Sequence, residues 1–179
     1  MNRLGEEFFD CDSVELAGKL LGKTLCVQGE NDVIRRIITE TESYSENDTA
    51  CHGSRGRTKR NDAMFCRGGT VYVYLCYGLH EMLNVAAGKD GESKAVLIRG
   101  IKGAAGPGIV TKQLNICRRL NYEFLPTSER IWIEDGIEIS ENQIENLKRV
   151  GIGYASQEDQ DKLWRFRLNP DSLDFIKSV

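Results

Sequence analysis

The strongest constraint on the fold lies in residues 70–87, TVYVYLCYGLHEMLNVAA, where the side chains alternate with a period of two. Val71, Val73 and Leu75 fall on one side and Tyr72, Tyr74 and Cys76 on the other, which is the pattern of a strand and not of a helix. Tyr77-Gly78 interrupts the run and residues 80–87 return as a partner strand, so the segment predicts an antiparallel hairpin with one aliphatic and one mostly aromatic face. A second hairpin is expected upstream. Residues 24–27 and 33–39 read as strands joined by the polar turn 28–32, and the second arm runs on into Glu40-Thr41-Glu42-Ser43-Tyr44. A strand that persists that far places Glu40, Glu42 and Tyr44 on one face and Thr39, Thr41 and Ser43 on the other.

Further strands are expected at residues 95–101, where Arg99 interrupts an apolar run and so needs a partner, at RIWIED, and at LWRFRL over 163–168. Asp12 with Glu15 has the spacing of an N-cap and its return partner ahead of an apolar stripe that Gly22 ends. A helix is expected over 109–120 after a flexible connector at 103–108. Another opens at the Ser140/Gln143 capping box and runs to Arg149. Hairpin-like pairs dominate and no βαβ alternation occurs. The reading is therefore a single mixed α/β domain over residues 1–179, a curved, mainly antiparallel sheet with peripheral helices.

A chain of 179 residues buries enough surface to fold without disulfide or metal staples. Its apolar runs fall well short of the ~20 residues that span a bilayer, and its acidic N-terminus resembles neither a secretory signal nor a transit peptide. An intracellular protein is expected, cytoplasmic in a bacterium or nuclear in a eukaryote. The six cysteines form no C-x-x-C pair and read as free thiols, with no metal site. The net charge of −3 counts against a polyanionic partner until its distribution is considered. Between His52 and Arg67 stand Arg55, Arg57, Lys59 and Arg60 against Asp62 alone, while residues 123–145 are strongly acidic. The basic stretch falls in residues 45–61, a polar loop with no sustained period; an unstructured loop of that length in a compact domain is usually functional or disordered, and a functional loop is the reading here. Paired carboxylates, a histidine, an arginine cluster and closely spaced tyrosines, all within residues 39–84, point to an enzyme acting on nucleic acid.

Several blocks in the same order carry a resemblance: ETESY, His52 in a basic GSRGRTKRN loop, MFCRGGTVYVYLCYG, Asn84, AVLIRGI, Gly-Pro-Gly at 106–108, and RVGIGYA at 149–155. Together they resemble the alkyladenine (3-methyladenine) DNA glycosylase family over nearly the whole catalytic domain. The resemblance implies a monofunctional hydrolase that flips alkylated or deaminated purines out of double-stranded DNA, by means of a protruding, DNA-inserting hairpin, and cuts the N-glycosidic bond with an activated water. It implies Glu42 as general base with Arg99 orienting it, a base pocket of Tyr44, His52 and Tyr74, and Asn84 excluding normal guanine. Tyr77 is the implied wedge. Arg55, Arg57 and Arg60 are assigned to phosphates, and no cofactor and a monomeric state are expected. On spacing alone Glu40 has an equal claim to the role of Glu42, and a non-catalytic damaged-DNA-binding module would share the basic loop and the tyrosines. Ile109 stands where a lysine is common and Glu81 where an aromatic is frequent, departures that bear on DNA affinity.

Overall fold

The computed structural model describes residues 2–172 and 174. The one-domain reading spans 1–179, so residues 1, 173 and 175–179 of it lie outside the described set. The strands are β1 Thr24–Gln28, β2 Val33–Tyr44, β3 Val71–Cys76, β4 His80–Ala86, β5 Ala95–Ile101, β6 Ala104–Ala105, β7 Ile131–Glu134, β8 Ile144–Leu147 and β9 Arg165–Leu168. With them go the short helices α1 Ser13–Lys19, α2 Pro107–Gln113 and α3 Gln157–Asp161. Every strand pair is antiparallel, in the order β3-β4-β5-β2-β1-β7, with β9 carrying β8 onto β2. The result is a mixed α/β fold built on a curled, half-barrel antiparallel sheet.

β2 is the spine. Its first half, rich in β-branched residues, pairs with β1, and its second half is gripped by β5 on one edge and β9 on the other. The expected alternation holds to the end of the strand. Thr41 Oγ1 donates to the Ala17 carbonyl at 2.8 Å and Ser43 Oγ lies 3.0 Å from Ser13 Oγ, so this face of β2 is turned to α1. Leu16, Ala17 and Leu20 of the α1 segment are buried in the main core with Ile38, Val96, Ile98 and Leu168.

The pairing of β2 with β5 is irregular around Glu40, where the register shifts by one and then shifts back. Ile38 faces Ile101, Glu40 faces Gly100 and Thr41 faces Ile98, which leaves Thr39 and Arg99 without opposite numbers. Such an irregularity re-aims a side chain, and here it turns Arg99 toward the carboxylates of β2. Gly100 permits the close approach, because a Cβ there would stand 2.9 Å from the Cβ of Glu40.

Three local expectations are corrected. Asp12 caps α1 by accepting from the Val14 N–H at 2.9 Å, but Glu15 pairs with Lys19 and does not reach back. Gly-Pro-Gly is the start of α2, with Pro107 in the first turn where its missing N–H costs nothing. That helix stops at Gln113 because Asn115 takes φ 52°, a left-handed conformation that no helix continues through. The Ser140/Gln143 capping box is present but opens a single 3₁₀ turn, Glu141–Gln143. Residues 144–147 then run extended because β9 supplies them with a ladder of hydrogen bonds.

The sheet order also separates the charges. β7, with Glu134 and Asp135 at its end, is the edge farthest from the β3–β4 hairpin, and its acids are bonded to Arg35 and Lys23. Among the described residues no helix is long and apolar enough to cross a membrane.

Candidate active site

Residues opposite one another in antiparallel strands share a face, and the register strings four of them in a row across the sheet. Glu42 of β2 faces Leu97 of β5, Leu97 faces Asn84 of β4, and Asn84 faces Tyr72 of β3. Two residues along, Tyr74 faces Met82, and Arg99 projects from β5 on the same side. Part of this face, with Glu42, Leu97, Tyr74, Met82 and Arg99, floors a cleft of about 990 Å³ that Tyr44, His52 and Tyr77 also border, with Arg55 and Arg60 at its rim.

At the floor, Glu42 has no exposed surface. Its Oε1 accepts the Val150 N–H at 2.8 Å and lies 3.5 Å from Arg99 Nη1, and its Oε2 accepts the Tyr44 hydroxyl at 2.9 Å. Burial raises its pKa above the ordinary glutamate value, opposed by the Arg99 charge and by the Val150 and Tyr44 hydrogen bonds. Glu40, on the same face, is differently placed. Its Oε1 accepts from Arg99 Nε and from Arg165 Nη1, each at 3.1 Å, so it sits between two guanidiniums and fixes one of them toward Glu42.

The aromatic wall comes from β3 and the basic loop. The His52 ring meets Tyr74 edge-on at 4.4 Å, Tyr72 lies 5.5 Å from Tyr74, and His52 Nδ1 is 3.0 Å from the Tyr72 hydroxyl. The His52 carbonyl accepts from Asn61 Nδ2 at 2.8 Å, which pins the loop backbone at this point. Desolvation by the neighbouring rings and loop, and after it the Arg60 charge, lowers the His52 pKa below the usual histidine value, which favours the neutral imidazole at pH 7. Burial likewise holds the Tyr44 and Tyr74 phenols protonated.

Tyr77 sits at the tip of the β3–β4 hairpin, 89% exposed. It has φ 50° and Gly78 φ 71°, the pair of positive angles that a type I′ turn needs, and the Leu79 N–H donates to the Cys76 carbonyl at 3.0 Å. A bulky residue pays a steric penalty in that region.

The other sequence-predicted residues divide. Arg60 donates to the Leu75 carbonyl at 3.2 Å, beside the cleft. Arg57 is turned away, its Nε 2.6 Å from Asp62 and its guanidinium over the Phe65 ring. Asn84 does not border the cleft. It is 4% exposed, and its amide donates to the Tyr72 and Met82 carbonyls at 3.3 and 3.1 Å. Among the described residues no group of three or more His, Cys, Asp or Glu side chains is placed to hold a metal ion.

Sequence reasoning missed the clamp that closes the far wall. Arg149 forms a fully buried ion pair with Asp48 of the basic loop, and it also donates to the Ser43 carbonyl at 2.9 Å and the Asp159 carbonyl at 3.1 Å. Its guanidinium lies 4.9 Å from the Tyr44 ring and 5.2 Å from that of Trp164. Asp159 adds a second tie, accepting from the Thr49 N–H at 2.9 Å. Together they hold residues 48–52 against residues 149–159, and so present the Val150 N–H to Glu42. The one signal in the sequence is a charge at the mouth of the apolar, glycine-spaced turn RVGIGYA. Replacing Arg149 with Met should cost about 3–5 kcal/mol of stability, because Asp48 is left buried and unpaired. Substituting both members by apolar residues should restore much of it, as read from urea-unfolding midpoints.

Comparison with known proteins gives one family model, described as methylpurine-DNA glycosylase, that matches residues 7–105 and 102–172. A protein of Arabidopsis thaliana named DNA-3-methyladenine glycosylase is 39% identical over 93% of this chain and 71% of its own length. A protein of Methanocella arvoryzae, whose name gives the same activity provisionally, is 39% identical over 91% of this chain and 90% of its own. One from Borreliella burgdorferi, named in the same way, is 36% identical over 93% and 96%.

Proposed function

The chain belongs to the methylpurine-DNA glycosylase family and on that ground is a DNA-3-methyladenine glycosylase, a hydrolase of N-glycosidic bonds; we propose that it works by flipping a damaged purine into the aromatic cleft and directing water onto the sugar from Glu42. The observation that carries this reading is a carboxylate with no exposed surface of its own bordering an aromatic cleft, with an exposed ring at the tip of the adjoining hairpin.

A base stacked in duplex DNA is out of reach, and extruding it costs a few kcal/mol in stacking and pairing. Tyr77 is assigned to fill the vacated space in the minor groove. The extruded base then stacks among Tyr44, His52 and Tyr74, at about 1–3 kcal/mol per base. A neutral His52 suits a cationic alkylated purine, since an imidazolium would repel it. Asn84, its amide fixed beneath the floor, is assigned the exclusion of normal guanine through its exocyclic amino group. Arg55, Arg57 and Arg60 are assigned to phosphates, Arg57 after release from Asp62. The chain is taken to act as one domain and as a monomer.

For the chemical step, a carboxylate offers about four lone-pair positions. Val150 and Tyr44 donate to that of Glu42 and the Arg99 charge stands 3.5 Å away, and a remaining position is assigned to the water, reached when the substrate opens the floor. The elevated pKa makes Glu42 a stronger base than a solvated glutamate while Arg99 keeps the charged form accessible. As the glycosidic bond lengthens, the same negative charge stabilises the oxocarbenium-like sugar. Glu40, shared by two arginines, is the weaker candidate for base.

The reading is tested with duplexes that carry single hypoxanthine, 1,N6-ethenoadenine or 3-methyladenine residues. Strand breakage confined to a subsequent alkali step supports a monofunctional glycosylase, whereas tight binding without base release favours the binding module. Asn84→Ser should release guanine from undamaged duplex faster than the wild type, and an unchanged guanine rate would move discrimination to another wall. Glu42→Gln should bind lesion duplex normally and lose base release by about 10²–10⁴-fold in single turnover. In the wild type the rate should rise with pH through a midpoint above that of an ordinary glutamate, since the base acts deprotonated; a midpoint at or below the ordinary value counts against Glu42. Tyr77→Asn places a residue that tolerates positive φ before Gly78, so stability should hold or rise by up to ~1 kcal/mol. Extrusion should nonetheless fall, read as a smaller 2-aminopurine fluorescence change beside the lesion.

A further inference from the structure

We propose that a second hollow, wrapped round the free edge of β3, is a groove for the phosphates of the DNA strand that does not carry the lesion. The proposal rests on the glycosylase reading above for the presence of a duplex, and it extends the protein's contact beyond the lesion cleft. The hollow measures about 580 Å³ and is bordered by Lys59, Arg60, Tyr77, Gly78, Arg118 and Asn121.

The edge itself explains why this surface suits DNA and not another strand. β3 is the end strand of its sheet, so its outward backbone groups must be satisfied by something other than a ladder. Val71 exchanges hydrogen bonds with Tyr122 and Glu123, at 3.0 and 2.8 Å. Val73 is closed by the side-chain amide of Asn121, which accepts from its N–H at 2.6 Å and donates to its carbonyl at 2.9 Å. The Leu75 carbonyl takes Arg60. An edge occupied in this way leaves few groups for strand addition and gathers cations along its length.

Those cations are available. Lys59 and Arg118 are exposed, as is Arg60 between the two hollows. Arg118 is oriented by Glu81, whose Oε1 accepts from its Nε at 3.0 Å, and its two amino nitrogens lie beyond that bond. Asp62, the acid of the neighbouring loop, is engaged by Arg57 Nε at 2.6 Å and by the Tyr122 hydroxyl at 3.1 Å. Three cations thus border one hollow on a chain whose net charge is −3.

Geometry selects the strand. Arg60, Tyr74 and Tyr77 border both hollows, so the hairpin tip stands between them. The minor groove is only about 6 Å wide, so a ring inserted there has one sugar-phosphate backbone on each flank. With the lesion strand over the first cleft, its complement runs past Lys59 and Arg118. Long, flexible cations at a solvent-facing edge read phosphate and not base identity, so the contact is sequence-independent.

The test compares the full-length wild type with Lys59→Ala/Arg118→Ala, on a lesion-containing duplex and on the same lesion strand alone. Each lost phosphate contact flattens the log Kd against log salt slope by about 0.9 on duplex. The double variant should therefore flatten the duplex slope by up to roughly 1.8 and leave the single-strand slope unaltered. In the wild type, neutral methylphosphonates in the complementary strand opposite the lesion should weaken binding similarly, and they should add nothing in the variant. This arm needs no substitution in the protein and so stands even if a variant folds poorly. Equal losses on duplex and single strand, or indifference of the wild type to neutralising the complementary strand, would overturn the groove. Base release by the wild type, scored in parallel, is a separate outcome: its absence would sink the glycosylase mechanism, while the binding comparison would still decide the groove.

Discussion

A carboxylate without exposed surface must be held by donors or else take up a proton, and the active face is arranged around that demand at Glu42. Coulomb attraction to Arg99 and the bonds from Val150 and Tyr44 favour the charged form, and burial disfavours it. The balance leaves the Glu42 carboxylate more basic than a surface glutamate. Each donor depends on a different part of the chain. Tyr44 comes from the end of the same strand, Arg99 from a slip in the β2–β5 register, and Val150 from a turn held by the buried Arg149–Asp48 pair. The fold thus brings two distant groups, the Arg99 guanidinium and the Val150 N–H, to a carboxylate whose third partner is its strand neighbour Tyr44.

That dependence explains what could be read from the sequence. The two hairpins were legible because a period of two and a turn dipeptide are local signals, and the aromatic face of β3 followed from the same alternation. Residues 144–147 read as helix because a capping box precedes them, but β9 decides their conformation from some twenty residues away. In the site, Glu40 and Glu42 could not be separated by spacing, since both fall on one face. What distinguishes their surroundings is Arg165, which arrives on β9 and gives Glu40 a second cation. Arg149 was invisible for the same reason. Its partners Asp48 and Ser43 lie about a hundred positions upstream, and no pattern around Arg149 announces them.

An acidic chain with a polyanionic substrate is less of a contradiction once the strand order is known. Much of the negative charge is committed to internal pairs: Glu134 to Arg35, Asp135 to Lys23, Glu145 to Arg167 and Glu123 to Arg130. Two of those pairs lie at the edge of the sheet opposite the hairpin. Screening at physiological salt acts over about 8 Å, so what a phosphate meets is the set of charges near the hairpin, and there Arg55, Lys59, Arg60 and Arg118 predominate. Net charge describes solubility here better than it describes the partner.

The hairpin tip and the floor show opposite physical solutions within one site. Around the cleft, positions are overdetermined: Glu42 has two hydrogen-bond donors and an arginine beside it, Asn84 beneath has two acceptors, and the far wall has the buried Arg149–Asp48 pair and the Thr49–Asp159 bond. At the tip, Tyr77 is exposed and held in a backbone region that penalises its side chain, where asparagine or glycine would be easier. A tight turn makes that tolerable because Gly78 takes the second positive angle and the Cys76–Leu79 hydrogen bond closes it. A ring kept out of the core at a conformational cost contributes little to the packing of this chain, and that is the observation behind its proposed assignment as the wedge. The floor is the converse, with side chains held in place by the partners they already have.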